Sequence, residues 1–456
     1  MLAAYSIPLL ICVSFILPAI KNVKFIKALA ILSIFLSLCF ILFTSVDVFS
    51  SGTKIFAVSG WKAPFGIVMV FDKLSSTIAT LILFLSLMIA IFSLNLVKER
   101  IKEFYTLLVL AVAGSLGIVV TGDIFNMFVF TEIMNIATYA LVGFTAKKEG
   151  LEAAFKYLIV GSISAILMLI SIALLYSHLG TLNIADIIKK VDINDNVQKT
   201  IFSIFLLSFC VKIAIFPFYV WKPDVISGSL EPVAAFFIGV MTTTTVYVII
   251  RTMYTILGIY YSTWLSVLAI LTMIVGAFLA LLQDDIKRIL AYGSISQLGY
   301  IFLAFSSGLA FQGLYHLVNN AVIEVLLFLS IGTMLLHKNK IEKISMYGFL
   351  LGALSLTGIP PLSAFFSKFF IITGLLEKNL FLSAIISGLI SIITLLYYMK
   401  IYFKFKQGEK RIYWPIIILI IVVLLLSFVP VWIELFKDVE VNLLARSEYV
   451  AEVLKP

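Results

Sequence analysis

Four ionisable side chains stand in stretches otherwise suited to hydrocarbon: Glu132 in FVFTEIMNIATYALVGF, Lys212 in KIAIFPFYVWKPD, Glu324 in YHLVNNAVIEVLLFL and Lys368 in SAFFSKFF. A charge at a bilayer centre costs about 2.5–3.5 kcal/mol on insertion scales, so four facing lipid unpaired would cost on the order of 10 kcal/mol. All four are therefore expected to face the protein interior. Burial disfavours the charged form of amines and carboxyls alike, which lets such groups exchange protons near neutral pH, the chemistry of a proton relay. The structural alternative is that they form ion pairs holding helices together. His316, two turns before Glu324, is placed either to connect the two halves of such a relay through water or simply to pack. His178 and His337 fall at helix ends and carry no signal.

The elements that must position these groups follow from composition. Of 456 residues, 62% are hydrophobic and only 12% charged, with a mean hydropathy of +1.15, far outside the range of a soluble domain. Runs of roughly 20 apolar residues, the length that crosses a bilayer, fall at about 1–20, 25–47, 67–96, 104–121, 124–145, 153–178, 200–221, 231–256, 262–283, 289–308, 311–336, 345–375, 380–403 and 412–434. The expected fold class is an all-α polytopic membrane protein of about 14 transmembrane helices. The first run lacks a basic leader and is followed by another span, so it is expected to be a membrane helix, not a cleaved signal. Nothing is left over for a soluble catalytic domain.

Cys12, Cys39 and Cys210 lie in apolar runs at unrelated spacings, which suggests neither a disulfide framework nor a metal site. The net charge of +9 points to topology, not to nucleic acid. Loops after odd-numbered spans carry Lys21, Lys24 and Lys27; Lys98, Arg100 and Lys102; Lys147 and Lys148; Lys287 and Arg288; Lys338, Lys340 and Lys343; and Lys404, Lys406, Lys410 and Arg411. Basic residues collect on the cytoplasmic side, so both termini are expected on the outer face of a prokaryotic cell membrane.

The one long polar connection, Leu182 to Lys199, suggests an amphipathic surface helix and a turn. Two spans are interrupted: the seventh at Pro217, the twelfth at Gly358, Pro360 and Pro361. Proline removes a backbone donor and clashes with the preceding turn, and broken backbone is tolerated at membrane depth only where it lines a cavity or packs on protein. The breaks are five spans apart, an odd offset that implies opposite orientation, as in two inverted five-helix repeats with spans 4–8 matching 9–13. The expected segments are a three-helix portion at 1–100, repeats at 101–256 and 257–404, and a C-terminal helix and tail at 405–456.

The segments GWKAPFGIVMVFDKLS, GDIFNMFVFTEIM, KIAIFPFYVWKPD, QDDIKRILAYGSISQLGY and GIPPLSAFFSK together make nearly the whole chain resemble the antiporter-like subunits of respiratory complex I and of Mrp-type cation/proton antiporters. The first is most similar to the branch of the Mrp D subunits, which includes homologous subunits of archaeal membrane-bound hydrogenase and sulfur-reducing complexes. The resemblance implies that Glu132 modulates the proton affinity of Lys212 by pairing with it and parting from it, and that Lys368 is the lysine after the broken twelfth helix.

The chain departs from that pattern at three places. Thr243 replaces a lysine common in the eighth helix, Tyr219 replaces the histidine of FPxHxW, and Asn320 and Glu324 stand where a histidine and a lysine are frequent. A threonine cannot hold a proton as lysine does, so either water held by Thr242 to Thr245, Asn319, Asn320, His316 and Glu324 bridges the gap or the usual route is lost.

The expected function is ion translocation, protons alone or exchanged for sodium, by one subunit of a larger membrane complex. The alternative is a degenerate structural paralogue that keeps only fold and interfaces. A stand-alone solute transporter finds no support, since no intramembrane arginine or aromatic cluster awaits a substrate carboxylate. No catalytic, flavin, quinone, nickel or iron-sulfur motif is visible, so any redox centre is expected on partner subunits. Other membrane subunits, protons, sodium ions and lipid are the expected partners, and no cofactor is expected in this chain.

Overall fold

The computed structural model describes residues 2–258, 262–336, 340–407 and 413–455. His337, Lys338, Lys410 and Arg411 lie outside them. Twelve described helices are long and apolar enough to cross a membrane, or 13 if one bent pair counts as a single span. In chain order the first eleven are α1 (Leu2–Ala19), α2 (Val23–Ser51), α3 (Lys73–Leu96), α4 (Ile101–Val120), α5 (Ile124–Thr145), α6 (Lys148–Leu179), α7 (Asn196–Gly228), α8 (Glu231–Ile256), α9 (Thr263–Leu282), α10 (Ile286–Ser306) and α11 (Ala310–Met334). α12 (Lys343–Thr357) and α13 (Ser363–Glu377) follow, each of 15 residues, too short to span alone at 1.5 Å per residue. α14 (Phe381–Tyr402) is the twelfth long helix, and α15 (Trp414–Leu426) bends by 83° into α16 (Val429–Leu444). The sequence expectation of about 14 spans is thus met only if α12 with α13 forms one interrupted crossing and the bent pair α15–α16 counts as another.

The breaks fall where the prolines are. In α7, helical structure stops at Ile213, Ala214 takes φ 69°, and the helix resumes at Trp221. α12 ends at Gly358 with φ 90°, a conformation glycine adopts without strain, and α13 begins two residues beyond Pro361. α8 is unbroken yet widens into π-helical turns at Phe236–Met241 and Arg251–Ile256. The polar stretch after α6 forms the short helix Ile184–Lys190 and a turn, as its amphipathic pattern implies. A feature the apolar pattern concealed is a hairpin of β1 (Lys54–Ala57) and β2 (Val68–Phe71), paired antiparallel from Lys54 with Phe71 to Ala57 with Val68.

α8, α10 and α11 form the enclosed centre of the bundle, while α6, α9 and α14 lie at the rim. Small residues let backbones approach there. A Cβ on Gly114 of α4 would come within 2.7 Å of the Met134 amide of α5, and one on Gly276 of α9 within 2.5 Å of the Ser296 amide of α10.

Basic side chains at the starts of α2 and α10, just before α4 and at the end of α14 tie neighbouring segments together at one end of the bundle. Lys27 donates to Leu94 O, Arg100 to Phe144 O, Lys287 to Ser229 O and Lys400 to Gln283 O. At the opposite end Asp72 caps α3, accepting from the Ser75 amide at 2.7 Å, and pairs at 2.6 Å with Arg251, both side chains being almost wholly buried. The guanidinium also donates to the Tyr247 hydroxyl at 3.2 Å and lies 5.4 Å from the ring of Tyr449. Tyr449 belongs to α17 (Arg446–Val453), whose Arg446 donates to Thr255 O and Ile256 O. The segment expected as a tail therefore folds back over the ends of α3, α8 and α11, because an amphipathic α16 buries Phe436, Val439 and Leu443 there.

Removing one member of a buried ion pair leaves an uncompensated charge, at roughly 3–5 kcal/mol. Arg251→Met and Asp72→Asn are each expected to destabilise the protein on that scale. The double variant should lose less than the two losses combined, a result that thermal unfolding of all three proteins in detergent would check.

Candidate functional site: a buried polar row

Glu132 sits on α5 in a stripe with the exposed Phe125, Val129 and Ile136 and is itself half-buried, so it is less interior than expected. The helical period that gives it this outward stripe also places Asn135 beside it, and the Asn135 amide donates to its carboxylate at 2.8 Å. Lys212, in the last turn of the first half of α7, is only 2% exposed. Its ammonium meets no hydrogen-bond partner among the described residues. Glu132 is the charge that acts on it, but the two form no ion pair within 4.0 Å among the described residues. α6 packs against both α5 and the first half of α7. The pair expected from the sequence is open in this conformation.

Lys368 is 3% exposed and firmly held. Its ammonium donates to Leu356 O at 2.6 Å and stands 4.2 Å over the Tyr300 ring. The Leu356 carbonyl is one of the last of α12, where the helix leaves acceptors unused and presents negative partial charge. The break that interrupts the helix thus supplies the ligand for the lysine. His316 Nδ1 lies 2.8 Å from Ser367 Oγ, next to Lys368, whose charge acts on the histidine. Asn319, Asn320 and Glu324 continue the row along α11, all buried, with Asn320 hydrogen-bonding the Glu324 carboxyl.

The eighth-helix threonines occupy the same centre. Thr242, Thr243, Thr244 and Thr245 donate to Phe237 O, Gly239 O, Val240 O and Met241 O of their own helix at 3.1, 2.6, 2.8 and 2.9 Å. Their protons are thereby committed, and only their lone pairs remain for water. Tyr219, at the position of the family histidine, packs on Phe216 and Tyr292 and is not part of the buried row.

Two features went unread in the sequence. One is the Asp72–Arg251 pair, whose members lie 179 residues apart. The other is Lys222, in the stretch KIAIFPFYVWKPD. It falls just past the seventh apolar run at 200–221, whereas the helix restarts at Trp221 and keeps it inside. The signal was the proline itself, since a break followed by renewed helix extends the buried segment. Lys222 is 1% exposed, and its ammonium has no hydrogen-bond partner among the described residues. Tyr157 stacks on Trp221 at 5.3 Å, and Phe237 meets both rings, an aromatic cluster beside the restarted half of α7.

A helical membrane bundle in which lysines are buried beside broken helices defines the class of antiporter-like membrane subunits. Residues 121–394 match the family described as NADH:quinone oxidoreductase/Mrp antiporter, transmembrane part. The D subunit of the Na(+)/H(+) antiporter of Alkalihalophilus pseudofirmus is 34% identical over 391 residues, covering 81% of this chain and 79% of that protein. The N subunit of the NADH-quinone oxidoreductase of Desulforudis audaxviator is 32% identical over 377 residues, 75% of this chain and 74% of that one. A chain of the membrane-bound sulfane sulfur reductase, an archaeal respiratory membrane complex, superposes with a TM-score of 0.92 at 27% identity, over 99% of each chain. This protein belongs to the NADH:quinone oxidoreductase/Mrp antiporter family of membrane subunits, as its motifs imply.

Ser367 is the one described hydrogen-bond partner of the His316 ring. Ser367→Ala, which leaves a buried imidazole unpaired, is expected to lower stability by about 1–3 kcal/mol, visible as a fall in Tm. Ser367→Thr keeps the hydroxyl and should change it little.

Proposed function

We propose that this subunit translocates ions, protons or protons in exchange for sodium, within a multisubunit membrane complex. The observation that carries the reading is a pair of buried lysines, Lys212 and Lys368, each beside a broken helix, with a buried row of His316, Asn319, Asn320 and Glu324 leading toward Lys368. Unsatisfied buried atoms on Lys212, His316, Asn319 and Asn320 are what ordered water would satisfy. Such water could pass protons between groups that hold them. The partners are the other membrane subunits of a complex like those of the relatives, and redox centres, if the host is a redox complex, belong to them.

Two further readings support this function. Segments 101–256 and 257–404 act as inverted repeats: both open with a tightly packed helix pair, α4 with α5 and α9 with α10, and both later carry a positive-φ residue, a proline and a buried lysine at a break. Both termini face outward, because the basic loops gathered at one end of the bundle mark the cytoplasmic face. Fourteen crossings, with α12 and α13 as one, make that topology consistent.

The second reading, a structural paralogue, draws on the committed hydroxyls of Thr242 to Thr245, which leave the middle of α8 without a group that stores a proton. The purified host complex in proteoliposomes decides between them. Lys212→Ala and Lys368→Ala are expected to reduce ion movement roughly a hundredfold, the scale of losing a positioned proton-transfer group, with assembly intact. Glu324→Gln should impair it about as severely as Lys368→Ala. Normal transport by all three variants would favour the structural reading.

A further inference from the structure

The proposed route has a gap at α8, where Thr243 stands in place of the lysine common in the family. We infer that Lys222, reaching into the bundle from the restarted half of α7, is the proton-carrying amine of the central junction and works against Glu324 of α11. The inference rests on the translocation reading above.

Placement comes first. Lys222 and Glu324 are 1% and 3% exposed, and Lys222 has no hydrogen-bond partner among the described residues. An unpaired ammonium so buried is tolerable only with a counter-charge or water nearby. Among the described residues, Glu324 is the charge that acts on Lys222, and Lys222 the charge that acts on Glu324. The groups around the carboxyl are Asn320, which hydrogen-bonds it, and Tyr397 and Tyr398 of α14, on which its charge acts.

Next comes continuity with Lys212. The indole of Trp221 donates across the break to Val211 O at 3.3 Å, so the chain neighbours of Lys212 and Lys222 are bonded to one another. One broken helix thus carries two buried amines, one on each side of its break. On the far side Glu324 lies on α11 two turns beyond His316, which touches Ser367 next to Lys368.

The third argument is the relation to Thr243. A Cβ on Gly239 would fall 2.2 Å from Val325 and 3.5 Å from Ala321 O, so this face of α8 lies directly on α11 beside Glu324. Thr243 is one turn along the same face and bonds to Gly239 O. A lysine at 243 would therefore project toward the Glu324 region that Lys222 reaches from α7. The amine has moved from one helix to its neighbour while its carboxyl partner stays within reach of both positions.

A merely structural ion pair and a proton carrier respond differently to arginine, which keeps the charge but does not release its proton. The test uses the host complex, purified through a tag on this subunit, reconstituted in proteoliposomes and assayed for proton movement under an imposed sodium or pH gradient. Lys222→Arg is expected to assemble normally and to lose translocation roughly a hundredfold, as for a lost proton-transfer group, and Lys222→Met to lose as much. Lys222→Thr combined with Thr243→Lys should recover most of the activity that Lys222→Thr alone removes. Full activity in Lys222→Arg, or no recovery in an assembled swap variant, overturns the inference. Lys212→Ala separates the two levels. If it abolishes transport while Lys222→Met does not, only the central assignment fails, whereas if neither variant matters the translocation reading fails with it.

Discussion

A lysine inside a membrane bundle must find an acceptor that hydrocarbon does not supply, and much of this structure follows from that requirement. Continuous helices use their carbonyls internally, so they offer a buried ammonium nothing. Breaking a helix frees the carbonyls of its last turn, and the protein breaks helices where lysines need them. Lys368 takes the Leu356 carbonyl at the end of α12. Lys212 lies in the last turn before the α7 break but is left without such a ligand among the described residues. One amine is thus held by a helix-end carbonyl and the other, among the described residues, is not.

The centre of the bundle carries the same constraint in a different form. α8 stays unbroken, widens into π-helical turns and spends its threonine hydroxyls on its own carbonyls, so its middle turns, Thr242 to Thr245, present no charge. The charge at this depth comes from its neighbours, Lys222 on α7 and Glu324 on α11. By contrast, the Asp72–Arg251 pair at one end of the bundle has every sign of a fastener. It is a contact at 2.6 Å, it caps a helix, and it is covered by the C-terminal α17.

Glu132 shows how much depends on which face a helix turns outward. The sequence put it beside Asn135, and the hydrogen bond between them exists. Yet the same periodicity aligns it with exposed Ile136, so it sits half-buried at the edge of the bundle, without a direct ion pair to Lys212.

Composition and periodicity alone determined that this chain is an all-helical membrane protein, where most of its spans begin and end, where two of them break, and that Glu132, Lys212, Glu324 and Lys368 needed an explanation. Those are local facts: hydrophobic length, proline chemistry and the penalty for an intramembrane charge. Which groups meet was not local. The openness of the Glu132–Lys212 pair, the burial of Lys222 beyond the break, the joining of Asp72 to Arg251 and the folding back of the C-terminal segment were decided by tertiary packing. Helix rotation and neighbour choice depend on how small residues such as Gly114, Gly239 and Gly276 let backbones approach, and that complementarity is shared between helices distant in sequence, with no pattern in either one alone.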